Sequence, residues 1–527
     1  MDIHEHLKAI DFLVVAIYLV ILTGIGIWVS FRKKKQKDGN LFLAGKSLKW
    51  PSIGLTMWGT NVGPSMLIAS AGIGYTSGIV AGNFSWFAFP FIFLLAFLFG
   101  PLYKKTGIST LPEFIGRRFN ESTSHLLAWY SIVTILISWL GLTLYAGGIL
   151  VGQIMNWPLW SSVLLIIIIA AFFSIAGGLE AIAYTNVFQM SLLIFVSFLF
   201  VIIGLGKIDN LQEAFHSTPE SWWKLLLPSD NKEFPWTAII FGYPILGIWF
   251  WCTDQSMVQS VLGAKNLKQA QLGANFTAWL KILDVPLFIL PGIICFLLYP
   301  GLNDSNEAYM TLVTGILPVG LVGLIMAVLI AALVSTVDSA LNSLSTIFTL
   351  DIYVKKFKPQ ASTKETVFIG RLVNLLGALL GVLIALIIAR IESLDLFSLF
   401  QAILGFLAPP ITTVFLVGVI WKKSTPFAAN VILSVGSLLS IITGGLFLSD
   451  YPSKEFWPHF LMLSFYITVA LSVIMLFISL LTGKNYEGSK IFETGQPKNY
   501  KLKAPMVVLM FWGALIVAML GLYILFN

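Results

Sequence analysis

Apolar runs long enough to cross a bilayer follow one another through almost the whole chain, separated by short polar connections. A transmembrane helix needs about 20 mostly apolar residues. Fourteen such runs fall near 10–31, 50–75, 79–103, 123–154, 158–178, 181–206, 237–262, 275–300, 317–350, 366–390, 395–421, 426–449, 458–482 and 505–526. The pattern predicts an all-α polytopic membrane protein with about 14 transmembrane helices, because helices satisfy every backbone polar group inside lipid. The first run lacks a small-residue cleavage site, so it is expected to remain as a span rather than be removed as a signal peptide.

Two runs are interrupted. WGTNVGPS (58–65) sets Gly59, Gly63 and Pro64 around the polar Thr60 and Asn61. Glycine and proline together free backbone carbonyls at membrane depth, which is tolerated where they face a cavity or an ion. YPILGIWFWCTDQSMVQ (243–259) has Pro244 and Gly247 early and Thr253, Asp254 and Gln255 late. These two spans lie five apart. Matching interruptions in two five-helix halves, about 50–206 and 237–421, predict an inverted repeat of the LeuT-like kind with a site between the halves. A proline kink alone would explain either interruption taken singly.

The ninth run carries a polar stripe. Between Ala331 and Ile352, residues Ser335, Asp338, Ser339, Asn342, Ser345, Thr346 and Thr349 recur at steps of three and four. Turned at about 100° per residue, they share one helix face. Such groups inside a membrane are costly unless they meet an ion, a substrate or water, so the stripe points to a transport pathway rather than an enzyme pocket.

Composition agrees. The chain of 527 residues is 57% hydrophobic and 11% charged, against about a quarter charged in soluble domains. The net charge of +7 follows topology rather than nucleic-acid binding: 25 basic residues fall on the side following the first span and 6 on the other. The positive-inside rule then places both termini outside the cytoplasm in a cell-membrane protein. The two cysteines, Cys252 and Cys295, both lie in apolar runs, so neither a disulfide framework nor a zinc cluster is expected. The histidines are scattered, with no metalloprotease motif; His4–Glu5–His6 is read as an exposed terminus rather than a weak metal site. Two amphipathic elements are expected outside the spans. One is a surface helix in GISTLPEFIGRRF (107–119), capped by Thr110; the other is an interfacial helix in PESWWKLLLP anchored by Trp222 and Trp223.

With these residues in view, the chain resembles the sodium/solute symporter family, closest to its sodium–sugar cotransporter branch. The resemblance rests on FLAGKSL (42–48), PEFIGRRF (112–119), GGLEAIAYTNVFQ (177–189), FWCTDQSMVQ (250–259), LPG (290–292) and LNSLSTIFTLDIY (341–353). It covers about residues 10–482, with 505–526 as an additional C-terminal helix. It implies a coupling Na⁺ held by the hydroxyls of Ser335 and Thr336 and the carbonyls of Gly59, Val62 and Ala332. Oxygen ligation suits a hard cation. Some relatives bind a second sodium through an aspartate where this chain has Asn186. Asp338, one turn from Ser335, is a candidate to supply that charge for an ion or as a proton-sensitive group; a plain Asp338–Asn186 hydrogen bond is the structural alternative.

The resemblance also implies substrate contacts at Asn61, Met66, Ser85, Trp251, Lys281 and Gln401, with Phe250 in the place of a gating tyrosine. Lys281 is additionally expected to pair with Asp284 or Asp254. Met66, Ser85, Ala88 and Leu404 replace polar groups of the sugar pattern, at about 1 kcal/mol or more per lost hydrogen bond. The expected function is sodium-coupled import of a small polar solute, most simply a sugar or polyol. Alternatives are uptake of an organic acid, a proton-coupled carrier, or a non-translocating sensor, whose output segment these residues lack. The expected partners are solute, sodium and the lipid bilayer; no nucleic acid, catalytic residue or obligate protein partner is inferred.

Overall fold

The computed structural model describes residues 7–33, 43–391, 395–483 and 504–527. His4–Glu5–His6 and the lysines at 34, 35, 37, 484, 490, 498, 501 and 503 lie outside the described residues. Among the described residues the secondary structure is helical, apart from the isolated bridges Leu48–Ala264 and Leu227–Pro235.

The chain opens with α1 (Ala9–Lys33), α2 (Trp50–Asn61), α3 (Pro64–Ser77) and the short α4 (Leu111–Arg118). It continues through α5 (Glu121–Thr134), α6 (Leu142–Met155), α7 (Leu159–Leu205), α8 (Tyr243–Ile248), α9 (Gln255–Leu262) and α10 (Leu267–Ile282). The last third holds α11 (Leu290–Leu298), α12 (Leu321–Ile347), α13 (Thr363–Ile388), α14 (Leu396–Ile420), α15 (Phe460–Thr482) and α16 (Met506–Leu525). Nine helical runs among the described residues are long and apolar enough to cross a membrane, or ten when α10 and its continuation through α11, bent by 40°, count as one.

Burial runs opposite to a water-soluble bundle. On α13 the large residues Leu372, Leu375, Leu376, Leu379, Leu383 and Ile387 are exposed, while the small Gly370, Gly377, Ala378 and Gly381 face inward. A continuous apolar exterior over a small-residue interface is what lipid solvation permits and water does not. α12 is the opposite case, buried almost throughout, and it packs against α7, α1 and α13. Its start is pinned by Asp11 of α1, whose buried carboxylate accepts the N–H groups of Gly320 (2.7 Å) and Gly323 (2.8 Å), two of the donors left unpaired at a helix start.

Several local expectations hold and others change. Thr110 caps α4 through the N–H of Glu113, but α4 is tucked into the protein rather than laid on its surface. Leu111, Phe114 and Ile115 are buried, and the buried Arg118 guanidinium donates to the carbonyls of Gly418, Trp421 and Lys422 at the end of α14. The WW segment is a single 3-10 turn, Glu220–Trp223. Trp222 is no interfacial anchor: it is buried, with its ring 4.8 Å from that of Phe296.

The second interruption also moves. Pro244 sits in the first turn of α8, directly after a π-helical stretch, Ala238–Gly242, and the helix runs through it. The break comes at Asp254, whose extended backbone ends a second π stretch, Trp249–Thr253, and whose carboxylate caps α9 by accepting from Ser256 and Met257.

Candidate functional site

The gap between α2 and α3 follows from which N–H groups exist. In an unbroken helix Thr60 would bond to the N–H of residue 64, but Pro64 has none. Gly63 turns its N–H to the Asn61 carbonyl (3.1 Å), leaving Gly59 without its helical partner, and Met66 donates to Gly63 (3.0 Å) instead of Val62. The carbonyls of Gly59, Thr60 and Val62 thus lose their helical bonds within one turn.

α12 stands opposite. The Thr336 hydroxyl donates to the Thr60 carbonyl (3.4 Å) and to Ala332 one turn back (3.1 Å), and the Thr60 hydroxyl donates to Ser339 (3.1 Å). Ser335 donates to Asn186 Oδ1 at 2.5 Å. Asn186 Nδ2 and Asp338 Oδ1 are buried without hydrogen-bond partners, so the simple Asp338–Asn186 bond is not made. The loosened turn thus meets α12 at Thr336 and Ser339, and the turn of α12 from Ser335 to Asp338 carries two further oxygen-bearing side chains of the kind a hard cation takes.

The stripe on α12 divides in two. Ser335–Ser339 meets the broken helix, whereas the lower part is packing: Ser343 and Thr346 bond to Gln259 of α9 (2.8 and 3.0 Å), and Ser345 bonds to the Gly370 carbonyl of α13 (3.0 Å).

Beside the α2 break lies a small cavity of about 50 Å³. Asn61, Met66, Phe250, Trp251, Lys281 and Gln401, candidates taken from four separate stretches of sequence, all line it, as does Leu404. Ser85 does not. It sits behind the wall and donates to Asp284 Oδ2 at 2.8 Å, while Trp58 Nε1 donates to Oδ1 of the same carboxylate at 2.8 Å. Lys281 completes this set with an ion pair to Asp284 and a hydrogen bond to Asn61 Oδ1 (2.7 Å). Asp254 is not its partner, being held by Trp139 (3.1 Å) and the α9 cap.

Aromatic rings bound the cavity. Toward the Trp222 end, Phe84 touches Phe397 (5.1 Å between centroids) and Phe234 (6.2 Å). Phe234 also faces a polar vestibule of about 490 Å³ near His459, which shares Ala69 with the inner cavity. Toward the Arg118 end, Phe250 packs between Trp139 (5.2 Å, tilted) and Trp251 (5.1 Å, edge to face). The expected Lys281–Asp284 pair forms, but sequence reasoning missed the Trp58 and Ser85 bonds that make Asp284 the hub of this region, and missed Trp249, whose indole N–H is buried without a partner at the cavity wall.

Comparison with known proteins gives a consistent set. The model of the "Sodium:solute symporter family" matches residues 41–444. Sodium/glucose cotransporter 4 of Danio rerio is 32% identical over 83% of this chain and 72% of its own length. Sodium/myo-inositol cotransporter 2 of Oryctolagus cuniculus is 32% identical over 82% of this chain and 69% of its own. Among solved structures, a substrate-bound, outward-open Na⁺-coupled sialic acid symporter superposes with a TM-score of 0.77 at 21% identity, covering 90% of this chain and 98% of that one. A nucleobase-cation-symport-1 family transporter in a closed conformation follows at 0.53 and 15% identity, over 84% of this chain and 95% of its own, a likeness of fold alone.

Proposed function

Because the chain belongs to the sodium:solute symporter family, we propose that it imports a small polar organic solute, a sugar or polyol, driven by sodium. The observation that carries this reading is the turn at Gly59–Val62, where carbonyls are freed by Gly63 and Pro64 and the Thr336 hydroxyl reaches the carbonyl of Thr60, with Ser335 next to it on α12. Sodium enters there, bound by Gly59, Val62, Ala332, Ser335 and Thr336, and solute binds in the adjoining cavity against Asn61, Met66, Trp251, Lys281 and Gln401. Ser85 acts through Asp284. Residues 50–206 and 237–421 form the two inverted halves of a fourteen-span protein, and α16 is an added helix. The basic Arg118 end faces the cytoplasm and both termini face out. Phe84, Phe234 and Phe397 close the outward path and Phe250 the inward one.

One charge crossing 100 mV gains about 2.3 kcal/mol, and a tenfold sodium gradient about 1.4 kcal/mol. One ion per cycle then supports roughly 500-fold accumulation, and two support its square. Asp338 supplies the charge for a second cation beside Asn186. The support is its buried, unpartnered Oδ1 and the equally unpartnered amide nitrogen of Asn186.

Uptake of labelled sugars, polyols and monocarboxylates into proteoliposomes, with sodium exchanged for choline, tests the reading. Uptake that survives in choline sinks it. For the second site, Asp338→Asn is expected to lower the charge moved per solute by one, and an unchanged ratio refutes that assignment.

A further inference from the structure

We infer that Asp284 is a positioning residue that makes the solute site electrically neutral, so that it admits uncharged ring solutes and excludes carboxylates. This rests on the reading of the Asn61–Lys281–Gln401 cavity as the solute site. Among the described residues, Lys281 is the only charged one lining that cavity. Its ammonium is already paired with Asp284, and the side chains are 2% and 0% exposed. Asp284 is itself held on both oxygens, by Trp58 on one and by Ser85 on the other, each at 2.8 Å.

The carboxylate lies where α10 ends, in a turn at Leu283, before the π-helical Val285–Ile289. Pro286 in that stretch has no N–H for the Ile282 carbonyl, which instead accepts the Trp86 indole (3.1 Å). The bend aims Asp284 back across its own helix at α2. An incoming carboxylate would have to compete with this pair or bring an uncompensated charge into the span, and both are costly at low dielectric. What the wall leaves available is neutral: the Asn61 amide nitrogen, the Gln401 amide and the partnerless Trp249 indole N–H, among aromatic and aliphatic faces. That inventory suits a cyclic polyol or sugar presenting one apolar face and a few hydroxyls.

Ser85 supplies an unusually direct control, because its hydroxyl already touches Asp284 Oδ2. The full chain in proteoliposomes is assayed with labelled myo-inositol and methyl α-glucoside, with lactate and pyruvate as competitors. Wild type should ignore the anions. Asp284→Asn leaves Lys281 unpaired at the cavity: the half-saturating concentration of the uncharged probe should rise about tenfold or more, the loss expected when a charged hydrogen bond is removed. Lactate should then compete, while sodium binding without solute persists. Ser85→Asp combined with Asp284→Asn returns the charge to the same place and should restore both affinity and indifference to lactate, which a merely structural role for Asp284 would not do. If Asp284→Asn fails to fold, the double variant and wild-type competition decide the matter. The inference is overturned if wild type takes up lactate or pyruvate with sodium, if the double variant stays defective, or if Asp284→Asn keeps its affinity and selectivity. Absence of sodium-driven uptake of every probe overturns the transport reading instead.

Discussion

Thr336→Val keeps the shape of the side chain and removes one oxygen, which makes it a clean test of the cation site. The hydroxyl reaches the Thr60 carbonyl at 3.4 Å and Ala332 at 3.1 Å, so it stands between the two backbone segments that would share the ion. A hydrogen-bond-strength contact to a charged group is worth about 1.5–3 kcal/mol. Losing one such ligand should therefore raise the sodium concentration for half-maximal uptake roughly 10- to 150-fold. The residue is buried in α12 and valine matches its shape, but the Thr60 carbonyl loses a hydroxyl partner, so the fold should lose about 1–3 kcal/mol. The assay is initial-rate uptake against sodium at fixed solute, with detergent melting curves as the fold control. A sodium dependence unchanged within twofold in a well-folded variant would show that no cation uses this oxygen, and the account of the α2 break would fall with it.

Two further expectations concern stability. A Cβ at Gly292 would lie 1.9 Å from the Ala71 carbonyl oxygen, backbone against backbone, whereas one at Gly445 meets nothing within 4 Å. Gly292→Ala should force α3 and α11 apart, costing about 1–3 kcal/mol or more and lowering the detergent melting temperature, while Gly445→Ala should leave it in place; equal melting points contradict the packing. In the vestibule, burial holds the His459 imidazole down to about pH 4, with Nδ1 accepting from Leu461 and Nε2–H donating to the Glu233 carbonyl (2.7 Å). Its neutral form belongs to the fold, so the stability it contributes is complete above about pH 6.5 and is lost as pH falls toward 4. His459→Gln should flatten the melting-temperature profile over that window, and an unaltered slope would exclude the residue as its source.

Much of the architecture was legible because lipid leaves so few options. Apolar runs must be helices, and a Gly63–Pro64 step inside one of them must strand carbonyls whatever packs nearby. The Thr110 cap was equally readable, since it depends on residues three apart. What was lost in reading lies in long-range partners. Helical periodicity put Ser345 and Thr346 on the same face as Ser335, but not whether that face meets an ion or a neighbouring helix; Gln259 and the Gly370 carbonyl decide this, and neither is near in sequence. The second span offered two places for a break, Pro244–Gly247 and Thr253–Gln255, and pattern alone did not choose; the helix runs through Pro244 after a π stretch and the backbone opens at Asp254. Ser85 entered as a solute contact through the family resemblance, and only a partner 199 residues away reveals its hydrogen bond to Asp284.

The same turn of α2 serves both sides of the site. Trp58 bonds to Asp284 and Asn61 accepts from Lys281 on the solute side, while Thr60 meets Ser339 and Thr336 on the α12 side. Residues 58–61 span a full helical turn, so consecutive members necessarily look in different directions. At its end the carbonyls of Gly59, Thr60 and Val62 lose their helical partners, and fixing one residue freed in this way costs about 1–2 kcal/mol. Whichever ligand arrives first bears that cost, and the second is spared it. Sparing a single residue already amounts to a five- to thirtyfold gain in affinity, roughly the size of measured couplings between linked sites. Linkage requires the factor to be mutual: sodium must raise solute affinity as much as solute raises that of sodium. With the sites placed as proposed, coupling would need no relay across the protein, because the turn between Trp58 and Val62 would be a wall of both at once.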